Sequence, residues 1–310
     1  MQKMSTERSL LQGKTMGTLW SVQIDGAPPP ALQAALQTAV EEIDHQMSNW
    51  SESSDLMRFN AAEVGVWHPL PAHLLCVLAE GLTISRATGG AFEMNLGAAV
   101  RAWGFNGAPI NVDALQAASA APHIQASLAM ELDLAAGRAR KTADLWLDLA
   151  GIAKGYGVDR LAEVVQSFGI DHALCAIDGE LRALGTQTNG TPWPVAIERP
   201  DSPDRAAYSI LALDAAAVAS SGDYRHFLTI KGKRLSHTMD PQRAAPLLDG
   251  PASVSVLAPR CLQADAMATA LMVMGEADGL AFAKATGISA LFLMREANGL
   301  RASGTGVFAA

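Results

Sequence analysis

Three stretches of this chain carry residue types that could act on a phosphate. Asp148-Leu149-Ala150-Gly151-Ile152-Ala153-Lys154-Gly155-Tyr156-Gly157 reads as a strand end, a glycine-rich turn and a helix start. Such a junction presents backbone N–H groups and the positive end of a helix, both suited to phosphate. Lys154 adds a mobile cation, and Asp148 could accept hydrogen bonds from a ribose or a metal-bound water. The segment matches neither a Walker A loop nor a GxGxxG fingerprint, so a plain tight turn stands beside the phosphate reading. In Ala264-Asp265-Ala266-Met267-Ala268-Thr269-Ala270, Asp265 and Thr269 are four residues apart and project from one helix face. A carboxylate, a hydroxyl and a nearby carbonyl suit a hard cation such as Mg²⁺. The competing reading makes Asp265 a cap or first-turn residue. The alternating alanines permit close backbone approach. The third stretch, Ser236-His237-Thr238-Met239-Asp240-Pro241, sets a histidine three residues before a carboxylate, ahead of a proline turn. Histidine is the natural proton acceptor near neutral pH, although a lone histidine is often structural.

Weaker signals surround these. Ser220-Ser221-Gly222-Asp223-Tyr224-Arg225 reads as a polar turn between two strands. Trp50, at a helix end among polar residues, either offers a stacking face or packs on the core. Ala91-Phe92-Glu93, after Gly89-Gly90, either passes backbone close to a ligand or enters a strand.

The elements that must position these residues follow from periodicity. Thr18 to Ile24 alternates as a strand, and Pro28-Pro29-Pro30 ends it. Leu32, Leu36, Ala39, Ile43 and Met47 recur at helical spacing, and a second helix runs from Pro71 to Thr88. Asn111 to Ala126 is alanine-rich, a helix plus its connection. Ala136-Gly137 turns a hairpin, and Leu145 to Leu149 is a strand. A helix runs to Phe168 with Leu161, Val164, Val165 and Phe168 on its buried face. Strands are expected at 173–177, 193–198, 209–213, 227–230, 253–257 and 290–293, and helices at 262–274 and 277–286. Glu198 to Arg205, rich in Pro and Asp, is a surface loop. The sum is an α+β fold with antiparallel strand pairs.

The 310 residues hold 49% apolar and 17% charged residues, a globular composition. A net charge of −8 with no Lys/Arg-rich run argues against nucleic-acid binding. Cys76, Cys175 and Cys261 stand singly, so neither a disulfide framework nor a zinc site is indicated. No stretch reads as a transmembrane segment. The N-terminal residues lack the apolar run of a secretory signal, so a cytoplasmic protein is expected. Export with signal removal would leave the same sequence and a periplasmic protein.

The blocks MGTLWSV, MSNWSESSDLMRFN, TGGAFEMNLGAAVRAWGF, LDLAGIAKGYGVD, SSGDYRHF with SHTMDP, and ADAMATALMVMG follow one another between Met16 and Gly275. In this order the chain resembles the FAD:protein FMN transferases, the ApbE-type flavin transferases. The resemblance implies a single ApbE-like (T-fold-like) domain over residues 1–310, of mixed, largely antiparallel sheets with packed helices, in two lobes around an FAD site. It also implies Mg²⁺-dependent transfer of FMN from FAD to a Ser or Thr hydroxyl of an acceptor flavoprotein, with AMP released. Met16 and Trp50 match flavin or adenine contacts, Ala91, Phe92 and Glu93 the backbone lining of the FAD site, and Asp148 and Lys154 FAD-contacting positions. Met239, where the family usually has Ile, matches an apolar flavin contact. Gly151 (through its carbonyl), Asp265, Ala268 (through its backbone) and Thr269 match the metal positions. His237 matches the histidine that acts in transfer, with Asp240 as its orienting partner. The chain departs from the family at Ala150, usually Gly or Ser, at Asp178, commonly Gly, and at Ser220, usually Thr. It departs again at Gln242-Arg243-Ala244-Ala245, where the loss of a glycine at Ala245 bears on the loop after Pro241. Two other classes use the same residues: an FAD pyrophosphatase giving FMN and AMP, and a non-catalytic FAD carrier.

Overall fold

The structure is a computed structural model and describes residues 8–105, 109–113, 115, 123–202, 204–225, 227–230 and 233–309. Most of the alanine-rich stretch after Asn111 lies outside the described residues. Strand β2 (Thr18–Asp25) shows the expected alternation, with Trp20, Val22 and Ile24 buried and Leu19 exposed. It pairs with β1 (Arg8–Thr15), a strand not anticipated from the sequence, through a two-residue turn at Met16-Gly17. Both turn residues have positive φ, 47° and 71°, as a type I′ hairpin requires.

Helix α1 (Leu32–Met47) buries Leu32, Leu36, Ala39, Ile43 and Met47, as their spacing predicts. Helix α2 (Asp55–Asn60) is capped by Ser54, whose hydroxyl accepts the Met57 N–H at 3.1 Å. After β3 (His68–Pro69), α3 (Ala72–Ala87) ends at Gly89 and Gly90, both at positive φ. A short α4 (Gly97–Ala102) and α5 (Ala126–Ala129) lead to the hairpin β4 (Met130–Asp133) and β5 (Arg138–Lys141). Residues 145–149 are extended but pair with no strand, contrary to expectation. Their polar groups go to side chains and to loop backbone instead: Asn60 donates to the Leu147 carbonyl at 2.9 Å and accepts its N–H at 2.7 Å, Asn95 accepts the Trp146 N–H at 2.8 Å, the Trp146 carbonyl accepts the Gly97 N–H at 2.9 Å and the Asp148 N–H donates to the Met94 carbonyl at 2.8 Å.

The central sheet has eight strands, all antiparallel to their neighbours. Its order is β1-β2, β6 (Ala173–Ile177), β7 (Glu180–Leu184), β10 (Ala217–Gly222), β15 (Ser253–Ala258), β16 (Ser289–Glu296) and β17 (Gly299–Gly304). The hairpin β8 (Trp193–Glu198) and β9 (Ala207–Leu213) covers one face, where Trp193, Val195 and Leu213 pack on Leu174, Ala183 and Val218. On the other face, α1 and α6 (Ala153–Ser167) pack on Ala173, Cys175 and Ile177. Strand β6 is buried on both faces, which is why it reads as an unbroken apolar run. Ser220 to Gly222 lies within β10 rather than in a turn, with Ser220 opposite Ser255. Two small hairpins, β11 (Phe227–Ile230) with β12 (Lys233–Ser236) and β13 (Met239–Asp240) with β14 (Ala245–Pro246), flank His237.

The two C-terminal helices expected from the sequence are present as the two segments of α7 (Cys261–Thr286), which breaks at Gly275, where the backbone is non-helical with a φ of 76°. By length and composition it could cross a membrane, which the sequence reading did not anticipate. In the fold it serves three apolar clusters. Cys261 joins the α1–α6 core, Leu262, Ala266 and Ala270 join the cluster with Phe59, Leu147 and Tyr156, and Leu271 and Met272 pack on Val254 and Phe292. The part before the kink, where most residues from Cys261 to Met272 are buried, is apolar all round for that reason.

Candidate active site

The glycine-rich turn meets α7 because Gly155 lacks a side chain. A Cβ there would stand 2.5 Å from the Cys261 carbonyl oxygen and 2.7 Å from the Asp265 Cβ. At this crossing the helices cap each other. Asp265 Oδ2 accepts the Gly155 N–H at 2.9 Å, in the first turn of α6. Asp159 of α6 accepts the Cys261 and Leu262 N–H groups at 2.9 and 3.0 Å, in the first turn of α7. Asp265 thus caps α6 rather than its own helix, where it sits in the second turn. The Ile152 and Ala153 N–H groups are taken by the Leu149 carbonyl at 3.1 and 2.9 Å. Part of the N–H set expected for phosphate is therefore already committed within the fold.

Lys154 is paired with a buried carboxylate. Its Nζ lies 2.8 Å from Glu180 Oε1, and the Glu180 side chain is 3% exposed. Burial works against the Lys154 ammonium, but Glu180, Asp265 and Asp178 outweigh it and hold the pKa above the ordinary lysine value. Burial, reinforced by the Glu180 charge, pushes Asp265 up to about 7, while Lys154 and the Gly155 N–H pull the other way. The ammonium is in contact with Glu180 and within the field of Asp265, and Glu180 Oε2 has no partner among the described residues.

Gly151 stands against Thr269, whose Oγ1 would be 3.0 Å from a Cβ at Gly151, with the Phe92 ring at 3.5 Å. Thr269 Oγ1 is 3.1 Å from Ser221 Oγ. Gly151, Asp265 and Thr269 are thus brought to one side of α7, while Ala268 is buried against Val254 and Val256. Among the described residues no three His, Cys, Asp or Glu groups cluster as a metal site. The donors here are one carboxylate, hydroxyls and carbonyls. The His237 segment reaches the same helix: the Thr238 hydroxyl lies 3.7 Å from Met272 Sδ, three residues beyond Thr269, and Met239 is buried. Asp240 accepts the Gln242 N–H at 2.9 Å and lies 3.9 Å from Arg243, so its carboxylate is engaged on its own loop. That loop closes without the family's glycine, because Ala244 takes a φ of 47° and its carbonyl accepts from Trp103 Nε1 at 3.2 Å.

Asp148 accepts the Ala150 N–H at 2.8 Å. Burial raises its pKa, opposed by that N–H and by the Asn49 amide. Asn49 thereby links this loop to Trp50, which is 70% exposed and packs on no core. Met16 reaches the same helix start, its Cε 3.2 Å from a Cβ placed on Gly157. Ala91 is half-buried beside the buried Phe92 and Glu93. Glu93 Oε1 accepts the Asn95 and Ala126 N–H groups at 2.7 and 3.0 Å, a tie between backbone segments. Sequence reasoning missed Glu180, Ser221, Asn49 and Asp159. Glu180 is 26 residues from the lysine it holds, and no local spacing announces such a pair.

The ApbE family model matches residues 16–292. The FAD:protein FMN transferase of Salmonella typhimurium is 32% identical over 96% of this chain and 87% of its own length. That of Vibrio cholerae is 34% identical over 95% and 90%. The apo flavinyl transferase ApbE of Pseudomonas stutzeri superposes with a TM-score of 0.87 at 32% identity, covering 99% of this chain and 98% of that one. The flavin transferase ApbE of Vibrio cholerae superposes with a TM-score of 0.85. With its fold, its motif order and nearly all of its length in common with these enzymes, the chain belongs to the ApbE family of flavin transferases.

Proposed function

We propose that this enzyme transfers the FMN half of FAD to a Ser or Thr hydroxyl of an acceptor flavoprotein and releases AMP. The reading rests on one observation: Gly151, Lys154, Asp265 and Thr269 converge where α6 crosses α7, and the His237 segment is anchored on α7 one turn beyond Thr269. The acceptor oxygen attacks the phosphorus on the flavin side of the pyrophosphate, a P–O bond forms, and the bridging bond to AMP breaks. Such transfers depend on positioning and charge neutralisation. His237 takes the hydroxyl proton, a role worth ~10²–10⁴-fold for a well-placed base. Lys154, fixed by Glu180, presents a stationary cation to the substrate. Trp50 offers an open aromatic face for stacking on the flavin or adenine ring, and Met16 and Met239 line the ring's apolar surroundings.

A divalent cation fits the residues present. Asp265 is a buried carboxylate beside Glu180, only one ammonium stands against the two negative charges, and the Thr269 hydroxyl and the Gly151 backbone add hard oxygens. Asp265, Thr269 and the Gly151 and Ala268 backbone would hold Mg²⁺. When bound, it neutralises charge on the pyrophosphate.

The test is to incubate the protein with FAD, Mg²⁺ and a flavoprotein subunit and weigh the acceptor by mass spectrometry. A mass gain of one FMN on a Ser or Thr, with stoichiometric AMP, is expected. Free FMN and AMP with an unmodified acceptor would show hydrolysis instead. His237→Ala should keep FAD affinity within a few-fold and lower single-turnover transfer by ~10²–10⁴-fold. Near-normal transfer by that variant would remove His237 from the reaction.

A further inference from the structure

Glu180 belongs to no active-site motif, yet its carboxylate directly contacts the site's lysine, Lys154. It opens β7 directly after the Asp178-Gly179 turn, opposite Ile177 at the end of β6. The rigid sheet edge therefore sets where its carboxylate stands. It is 2% exposed, and one oxygen holds Lys154 at 2.8 Å. The other oxygen is buried with no partner among the described residues, so the negative charge stays concentrated in the site. An anionic substrate that approaches Lys154 must share the ammonium with this carboxylate.

We propose that Glu180 is a positioning residue that acts through Lys154: it pins the ammonium in its transfer-competent place and, by competing for it, restrains the ground-state affinity for FAD. The inference rests on the proposed FAD site. Interactions equally strong in ground and transition states tighten binding without speeding chemistry. A lysine released from Glu180 would follow the phosphates of bound FAD instead of standing where the reacting phosphoryl needs it.

Glu180→Gln keeps the shape and a hydrogen-bond acceptor for Lys154 but removes the charge. It should bind FAD about three- to tenfold more tightly in Mg²⁺-free titration calorimetry, the range expected from one nearby charge. Its single-turnover transfer at saturating FAD should be about tenfold slower or more. Glu180→Asp keeps the charge but shortens the reach. It should bind FAD like the wild type and still transfer slowly, which separates charge from position. In a Lys154→Met background, Glu180→Gln should no longer tighten FAD binding. A residue that merely holds the fold predicts a lower melting temperature and weaker FAD binding for both Glu180 variants, and that result overturns the proposal. Equal tightening with and without Lys154 also overturns it, because Glu180 would then act as a general field. A wild-type protein that binds no FAD defeats the site reading itself. A wild type that binds FAD while Glu180→Gln binds equally or less well defeats only the role of Glu180.

Discussion

Trp50 and Lys154 illustrate how a side chain's surroundings decide its role. An indole left 70% exposed adds little to folding, because little of its surface leaves water. Trp50→Ala is therefore expected to move Tm by no more than about 2 °C, as for surface substitutions generally. Base–aromatic stacking is worth ~1–3 kcal/mol, so the same change should weaken FAD binding about fivefold or more. Calorimetry with FAD checks this, and unchanged affinity would take Trp50 out of the site. Asp178 is a different case. It stands at a φ of 52°, a conformation that glycine adopts freely and that an Asp tolerates better than most residues. Here the carboxylate lies 3.7 Å from Arg205 and adds to the field that keeps Lys154 charged.

The crossing of α6 and α7 holds the site together at the level of elements. Gly155→Ala would drive a methyl into the Cys261 backbone, which cannot yield as a side-chain tip can. Overpacking of this kind costs ~1–3 kcal/mol. Gly157→Ala meets the Ile177 Cδ1 at 2.7 Å, a flexible tip, and should cost less. Urea unfolding of the two variants should therefore rank Gly155→Ala as the less stable, and the reverse order would show that the helices can part easily. Asp159→Ala removes two caps and leaves Arg182, now 2.7 Å away, without its carboxylate. A loss of ~2–4 kcal/mol is expected from the caps and the broken ion pair together. Beyond the Gly275 kink, Glu276 ties α7 to β17 through two Arg301 contacts at 2.5 and 2.8 Å. Arg301 and the Ser303 hydroxyl hold the Glu276 carboxyl down at about 2. A lowered carboxylate pKa adds stability above the unfolded value of ~4.3, and that stability is lost as pH falls toward 2. Glu276→Gln should thus cost roughly 1 kcal/mol at pH 7, given solvent screening, with a gap that narrows below pH ~4. A gap that is constant with pH in denaturant titrations would point to packing instead of charge.

Across the whole molecule, the site is assembled from segments that lie far apart in sequence. Residues near 16, 50, 92, 150, 180, 237 and 265 come from different elements, and α7 shares its apolar surface among three clusters. A ligand that spans these segments stabilises only the folded arrangement. FAD with Mg²⁺ at 100 times its Kd should add ~2.7 kcal/mol by mass action. In a protein of this size each kcal/mol raises Tm by ~2–4 °C. Scanning fluorimetry should show a rise of several degrees, larger for FAD with Mg²⁺ than for FAD alone, and abolished in Asp265→Ala for the metal increment. An equal rise without Mg²⁺ would detach Asp265 from metal binding.

What the sequence determined by itself was local. Alternation defined β2, helical spacing defined α1 and α3, and the Gly-rich and Ala-rich blocks marked where two backbones come close. The order of the motifs carried the family resemblance. Where a strand needed a partner, the sequence misled: residues 145–149 have the apolar character of a strand, but the Asn60 and Asn95 side chains and the backbone around Met94 and Gly97 take up hydrogen bonds that a neighbouring strand would otherwise make. Strands β1 and β17 were missed because edge strands are half-polar and weakly patterned. Only the tertiary structure decided which oxygen meets which nitrogen. Asp265 caps a helix that begins 112 residues before it, and Lys154 is held by a carboxylate on the neighbouring sheet. Such pairs depend on long-range packing, which brings charged groups together with no periodic trace in the chain.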